Sequence, residues 1–395
     1  MRAATTPPHL HTLILLTAFS PLTLNMFLPS LANIADDLQT DYAVVSLAVA
    51  GYLAVTAVIQ LIAGPLSDRF GRRPVLLIAL SVFTLASMGC ALAEDIWTFL
   101  AFRMLQGGMI AGYTISLAIV RDTTEERKAA GLISYVSMSM AVAPLLGPML
   151  GGLLDTAFGW RASFYFYFMS GVTLLVLCWI DLGETNDAAR SGPDQKGDDV
   201  KALLVEARFW GYALCTAFSI GAFYTFLAGA PLVARAVFDV STATLGVLIG
   251  SITAGFMTGS FLSARLAPSF PLTTMMLAGR LVACSGLLIG LLILLAGHLS
   301  LVTFFGATVF VGLGNGLTIP SSNAGAMSIR PQLAGTAAGV SGALTVAGGA
   351  ALTTLTGFLL TDMNAPYMLI GIMFVASFAG LLSAAWVRHA DRAIA

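Results

Sequence analysis

Twelve runs of mostly apolar residues, each about as long as a helix that crosses a bilayer, leave this chain few folds to choose from. They cover Leu10–Ala32, Val44–Leu66, Val75–Ala93, Trp97–Val120, Ala129–Leu154, Ser163–Leu182, Trp210–Val233, Leu245–Leu266, Thr273–Ala296, Leu299–Ser321, Ala334–Leu359 and Tyr367–Val387. The 395 residues are 57% hydrophobic and 10% charged, whereas soluble domains average about 25% charged residues. A water-soluble core stops growing at about 250–300 residues and cannot hide that much apolar surface. The expected class is an all-α membrane protein of twelve transmembrane helices. The segment before the first run has no clear small-residue cleavage site, so Leu10–Ala32 reads as a span and not a removable signal.

One long polar stretch, Gly183–Arg208, divides the spans into six and six. The expected organisation is an N-terminal six-helix half over residues 1–183, a cytoplasmic linker over 184–208 and a C-terminal six-helix half over 209–395. With the N-terminus in the cytoplasm, sixteen Lys and Arg residues, Arg265 and Arg280 among them, fall on the cytoplasmic side. Only Arg161 and Arg235 fall outside, and this asymmetry sets orientation. Both termini are then expected to be cytoplasmic.

Several chemistries have no support. Cys90, Cys178, Cys215 and Cys284 all lie in apolar runs and read as small buried hydrophobes. No Cys/His spacing suits a metal, and there is no nucleotide loop or catalytic grouping. No cofactor is expected, and scattered basic residues give no nucleic-acid footprint. The chain is not expected to be an enzyme.

Arg103 reads as the one charge inside the spans. A charge at that depth costs about 2.5–3.5 kcal/mol on insertion scales, so it marks function by default. Other polar and aromatic side chains within spans suggest a ligand cavity: Tyr52, Gln60, Gln106, Tyr113, Tyr135, Phe223, Tyr224, Phe226, Asn315 and Asn323. Aromatic walls with a few hydrogen-bonding groups suit a small, largely apolar molecule. Each aromatic taken singly is equally at home as ordinary packing. Tyr165 and Tyr167, near the outer end of the sixth span, read as interfacial belt residues.

Four motifs carry a family resemblance. Between spans 2 and 3 runs Gly64-Pro-Leu-Ser-Asp68-Arg69-Phe-Gly71-Arg72-Arg73, where Gly71 permits a tight turn and the arginines hold the loop on the cytoplasmic side. Span 4 holds Arg103-Met-Leu-Gln106-Gly107, and span 5 holds Gly147-Pro148-Met-Leu-Gly151-Gly152. Span 1 holds Asn25-Met-Phe-Leu-Pro29. Together they resemble the major facilitator superfamily, and in it the bicyclomycin/chloramphenicol-resistance (Bcr/CflA) branch of drug:proton antiporters. The resemblance implies two halves related by an axis along the membrane normal, with substrate held near the midplane. It further implies multidrug efflux by a monomer exchanging a small molecule for protons across the lipid bilayer.

One departure matters. Where the branch pattern has an Asp, this chain has Asn25, which takes up no proton near neutral pH. At about 1.5 Å per residue, Asn25 and Arg103 fall at similar depth, so their contact is expected to be possible. Two roles for Arg103 remain open. It pairs with an anionic or dipolar substrate, or Asn25, Gln106 and backbone carbonyls satisfy it and it fixes helix packing. The nearest acids that could titrate are Asp36 and Asp37 at the mouth of span 1, which also read as a solvated loop.

Glycines at Gly147/Gly151, Gly246/Gly250, Gly255/Gly259 and Gly335/Gly339 have the spacing that lets helices approach closely. The leading expectation is an exporter of small amphipathic compounds by alternating access. The alternative is a carrier of a small anionic or zwitterionic metabolite that uses Arg103, with weak proton coupling or none.

Overall fold

The computed structural model describes residues 8–123, 143–144, 146–185, 203–266, 269–330 and 334–394. Its regular elements among these residues are helical. In chain order the main helices are α1 (Leu10–Asn25), α2 (Leu31–Asp37), α3 (Tyr42–Phe70), α4 (Arg72–Ala91), α5 (Ile96–Leu105), α6 (Ile110–Thr123) and α7 (146–158). They continue with α8 (Arg161–Asp181), α9 (Ala207–Val233), α10 (Thr242–Leu266), α11 (Leu272–Leu295), α12 (Leu301–Ser328), α13 (Ala334–Leu359) and α14 (Ala365–Ile394). Ten helical segments among the described residues are long and apolar enough to cross a membrane. The Trp97–Val120 and Ala129–Leu154 runs are not among the ten. The first is built as α5, a 3-10 turn (Gln106–Met109) and α6, and part of the second lies outside the described residues.

The chain forms two compact units, Met1–Gly192 with Ser241–Gly246, and Pro193–Val240 with Val247–Ala395. The first unit is centred on edge-to-face aromatic pairs. Phe164 meets Phe99 at 5.3 Å, Tyr167 at 5.6 Å and Trp160 at 5.7 Å between ring centroids. Such pairs add about 0.5–1.5 kcal/mol each beyond buried area, and they knit α5 to α8. The glycines of α7 bring backbones together: a Cβ on Gly151 would run into the Met26 carbonyl, and one on Gly152 into the Thr242 carbonyl. Between α3 and α4, Gly71 turns the chain at φ +96°, a conformation side chains rarely adopt.

In the second unit α9 runs through the core, with Phe209, Cys215, Phe226 and Ala230 all fully buried. Helices α10 and α12 meet backbone to backbone, because Gly255 and Gly259 face the Val309 and Leu313 carbonyls while Gly312 and Gly316 face those of Ile252 and Phe256. The close-packing reading of Gly255/Gly259 thus has a partner helix. At Gly339 no heavy atom lies within 4 Å of a built Cβ, so the small-residue pattern makes no packing contact there.

Candidate functional site

Arg103 is fully buried in the first unit, and the reason lies in two neighbouring breaks of helix. Asp95 caps the start of α5 by accepting from the Trp97 and Thr98 amides, which fixes the helix that carries Arg103. On the other side α1 ends at Asn25 and the chain turns through a short 3-10 segment, Leu28–Ser30. That ending frees the Thr23 carbonyl from the helix ladder. It accepts from Arg103 Nη2 at 2.9 Å and from the Tyr167 hydroxyl at 3.1 Å. Arg103 Nη1 donates to Gln106 Oε1 at 2.7 Å, Gln106 Nε2 donates to Ser87 Oγ at 2.8 Å, and Ser87 Oγ donates to the Phe83 carbonyl. The guanidinium also lies 4.1 Å from the Phe27 ring centroid and 4.3 Å from that of Tyr52. Two rings and two oxygens therefore stabilise a desolvated cation to which no carboxylate among the described residues is bonded. Its Nε has no partner among the described residues.

Asn25 does not take the place expected for it. Its Nδ2 donates back to the Pro21 carbonyl one turn earlier at 2.7 Å, and its Oδ1 is buried without a partner among the described residues. The physical reason is competition: the carbonyl released by the helix end is already the acceptor on α1, and the amide turns to its own helix. Tyr167, read above as an interfacial belt residue, is instead fully buried on the same Thr23 carbonyl, while Tyr165 is exposed.

A second correction concerns Arg280. Counted above with the basic residues of the cytoplasmic segments, it is fully buried within α11, so Arg103 is not the lone charge of the spans. Its Nε donates to Thr318 Oγ1 at 3.0 Å and its Nη2 to Asn315 Oδ1 at 2.5 Å, and Asn315 Nδ2 donates on to the Ser219 carbonyl at 3.0 Å. Neutral oxygens on α12 offset the desolvation, while Nη1 lacks a partner.

The expected ligand-contacting residues separate into two groups. Tyr52, Gln106, Phe226 and Asn315 are buried, and Tyr52, Gln106 and Asn315 are bonded inside their own units. Gln60 and Tyr113 in the first unit, and Phe223, Tyr224 and Asn323 in the second, are partly exposed. Phe223 and Tyr224 sit 5.9 Å apart between centroids, and Asn323 Oδ1 accepts from Thr216 at 3.4 Å. Tyr135 and the Asp68 side chain lie outside the described residues.

The loop motif is tied down by groups the sequence reading did not single out. Glu184 accepts from the Arg72 and Arg73 amides at 2.9 and 3.2 Å, capping α4 where the helix dipole favours negative charge. Arg72 also pairs with Asp122 at 3.1 Å, and Arg73 lies over the Trp179 ring. Arg69 is exposed beside Phe70. At the mouth of α2, Asp37 is bonded to Arg161 and to Trp160 Nε1, while Asp36 is exposed.

Residues 13–353 match the Major Facilitator Superfamily. The chain is 31% identical over 375 residues to the uncharacterized MFS-type transporter YdgK of Bacillus subtilis (strain 168), covering 93% of this chain and 92% of that one. It is 31% identical over 366 residues to multidrug resistance protein MdtL of Escherichia coli (strain K12), covering 92% and 91%. It is 31% identical over 354 residues to multidrug resistance protein D of the same organism, covering 88% of each. Among solved structures, a bacterial homologue of the human lysosomal transporter Spinster, in an inward-facing and occupied conformation, aligns with a TM-score of 0.78 at 17% identity over 98% of both chains. A D-xylose-proton symporter aligns at 0.75 and 15%, covering 95% and 97%. These two likenesses concern the fold.

Proposed function

Because the chain belongs to the Major Facilitator Superfamily, and is therefore a multi-pass membrane carrier and not an enzyme, we propose that it is a secondary active exporter of small amphipathic compounds. In this reading it has twelve spans in two six-helix halves, 1–183 and 209–395, joined by the 184–208 linker. Both termini are cytoplasmic, in a bacterial inner membrane. It works as a monomer by alternating access, in exchange for protons, as a member of the Bcr/CflA branch.

The observation that carries the choice of cargo is the state of the two buried cations. Arg103 is already bonded to Gln106 and Thr23 and stacked on two rings, and Arg280 is bonded to Asn315 and Thr318. Groups engaged in this way are poor receptors for an anion. The partly exposed side chains Gln60, Tyr113, Phe223, Tyr224 and Asn323 are aromatics and amides, the chemistry that suits an uncharged or amphipathic ligand. The relatives named for multidrug resistance agree with this reading. The anion-carrier alternative draws on the partnerless Arg103 Nε.

The test is expression in a drug-sensitive bacterial host. Chloramphenicol accumulation should fall several-fold, and an ionophore that collapses the proton gradient should restore it. Accumulation that is unchanged for chloramphenicol and for a panel of neutral amphipathic drugs would remove the exporter reading. Uptake of a small carboxylate that disappears in Arg103→Ala would favour the alternative.

A further inference from the structure

We propose that Asp155 is a proton-binding carboxyl of this carrier, and that its charge decides how firmly the Ser241–Gly246 segment stays docked on α7. The proposal rests on the reading of the chain as a proton-coupled exporter. It supplies an acid for that coupling where Asn25 offers none.

Asp155 lies one residue beyond the Ala129–Leu154 run and is 7% exposed. The groups that face it are all neutral. Asn33 Nδ2, on α2, donates to it at 2.8 Å, and the side chains of Ser30 and Thr242 lie beside the same carboxylate. The titratable groups on the packed elements are spent or turned away. Asp37 on α2 is held by Arg161 and Trp160, and Arg161 is shared between Asp37 and the Ala93 carbonyl. Asp36 on α2 is exposed. Neither α7 itself nor Ser241–Gly246 carries another ionisable side chain. Burial raises the Asp155 carboxyl above its ordinary value, while the polar side chains of Ser30, Asn33 and Thr242 beside it hold it down in part.

The docking surface beside it is built for close approach. Gly152 faces the Thr242 carbonyl, Gly246 faces the Pro148 carbonyl, and Thr156 bonds the Thr242 hydroxyl at 2.9 Å and the Ala243 amide at 3.2 Å. Thr242 thus meets α7 through both its backbone and its hydroxyl, next to Asp155. An ionised carboxylate gains by reaching water, which lifting this segment would allow. A protonated carboxyl carries no such cost. By linkage, the docked arrangement binds the proton more tightly, and acid favours docking.

The deciding measurement is an infrared pH titration of the purified protein in nanodiscs, wild type minus Asp155→Asn. A protonated-carboxyl band that persists in wild type above the ordinary carboxylate range, about pH 4, and vanishes in Asp155→Asn is the expected result. Thr242→Val keeps the acid and removes one donor to its charged form, so it should move the midpoint upward; this second variant serves if Asp155→Asn does not fold. Superimposable titrations of wild type and both variants overturn the inference. A companion assay follows chloramphenicol flux in proteoliposomes with and without a pH gradient. Gradient stimulation in wild type that Asp155→Asn loses, with passive flux kept, supports the site. Stimulation that Asp155→Asn retains sinks the site and leaves proton coupling standing, whereas no stimulation in wild type removes the coupling reading itself.

Discussion

Arg103 Nη1 and Gln106 Oε1 stand 2.7 Å apart on consecutive turns of one broken helix, and that bond points the guanidinium at the Thr23 carbonyl of α1. A cation held this way is a structural tie before it is anything else. Arg103→Lys keeps the charge but cannot reach Gln106 and Thr23 together while stacking on Phe27 and Tyr52. It should destabilise the protein by about 1–3 kcal/mol, the cost of stranding buried partners. Thermal unfolding in detergent, followed by tryptophan fluorescence, reads this directly; a midpoint equal to wild type contradicts it.

The broken end of α1 makes Asn25→Asp informative. The new carboxylate would lose the bond to Pro21 and find a partnerless Arg103 Nε in the same buried region. Flux driven by a pH gradient should become steeper than in wild type. Equal gradient dependence in the two proteins counts against any coupling role for this position.

Glycine substitutions in the first unit should divide sharply. Gly151→Ala drives a methyl group into the Met26 backbone, which cannot rotate away, and should cost about 1–3 kcal/mol as other overpacked cores do. Gly108→Ala meets no heavy atom within 4 Å and should be tolerated. Expression yield and thermal midpoint compare the pair, and equal losses would mean that close approach at Gly151 is unimportant.

Asp155 makes stability depend on pH in a definite direction. The folded chain holds its proton to higher pH than the unfolded chain does. Below the ordinary carboxylate value the group therefore costs nothing, and the cost grows as pH rises through the raised folded value. Wild type should lose stability relative to Asp155→Asn as pH rises above the ordinary carboxylate value, about pH 4. Parallel thermal midpoints across that range would show that the carboxyl is not perturbed.

Glu184 offers a test away from the spans. Glu184→Ala removes the acceptor for two amides at the start of α4 and should cost about 0.5–2 kcal/mol, within the range for lost helix caps. Hydrogen exchange at Arg72 and Arg73 should quicken; unchanged protection would mean another group caps the helix.

The sequence made the membrane class, most of the helices and the four motifs legible, because apolar length and turn chemistry act locally along the chain. Arg103 was found for the same reason, since a charge amid apolar residues stands out. Arg280 was not, because it lies about two turns inside α11, where a long side chain can equally reach water or the interior. Only Thr318 and Asn315, some 35 to 38 positions away, decide between these. The role of Thr23 was invisible for a deeper reason: the acceptor is a backbone carbonyl, and any residue there would supply it. Asp155 lies just past the end of an apolar run, where nothing local marks it, and what distinguishes it is the cover provided by Asn33 and Thr242, both distant in sequence.

The glycine seam joining Gly255 and Gly259 to Gly312 and Gly316 has a mechanical meaning. Where main chain rests on main chain, no rotamer is left to yield, so α10 and α12 must travel as one strut. Any bending needed during a transport cycle has to be absorbed elsewhere in the second unit.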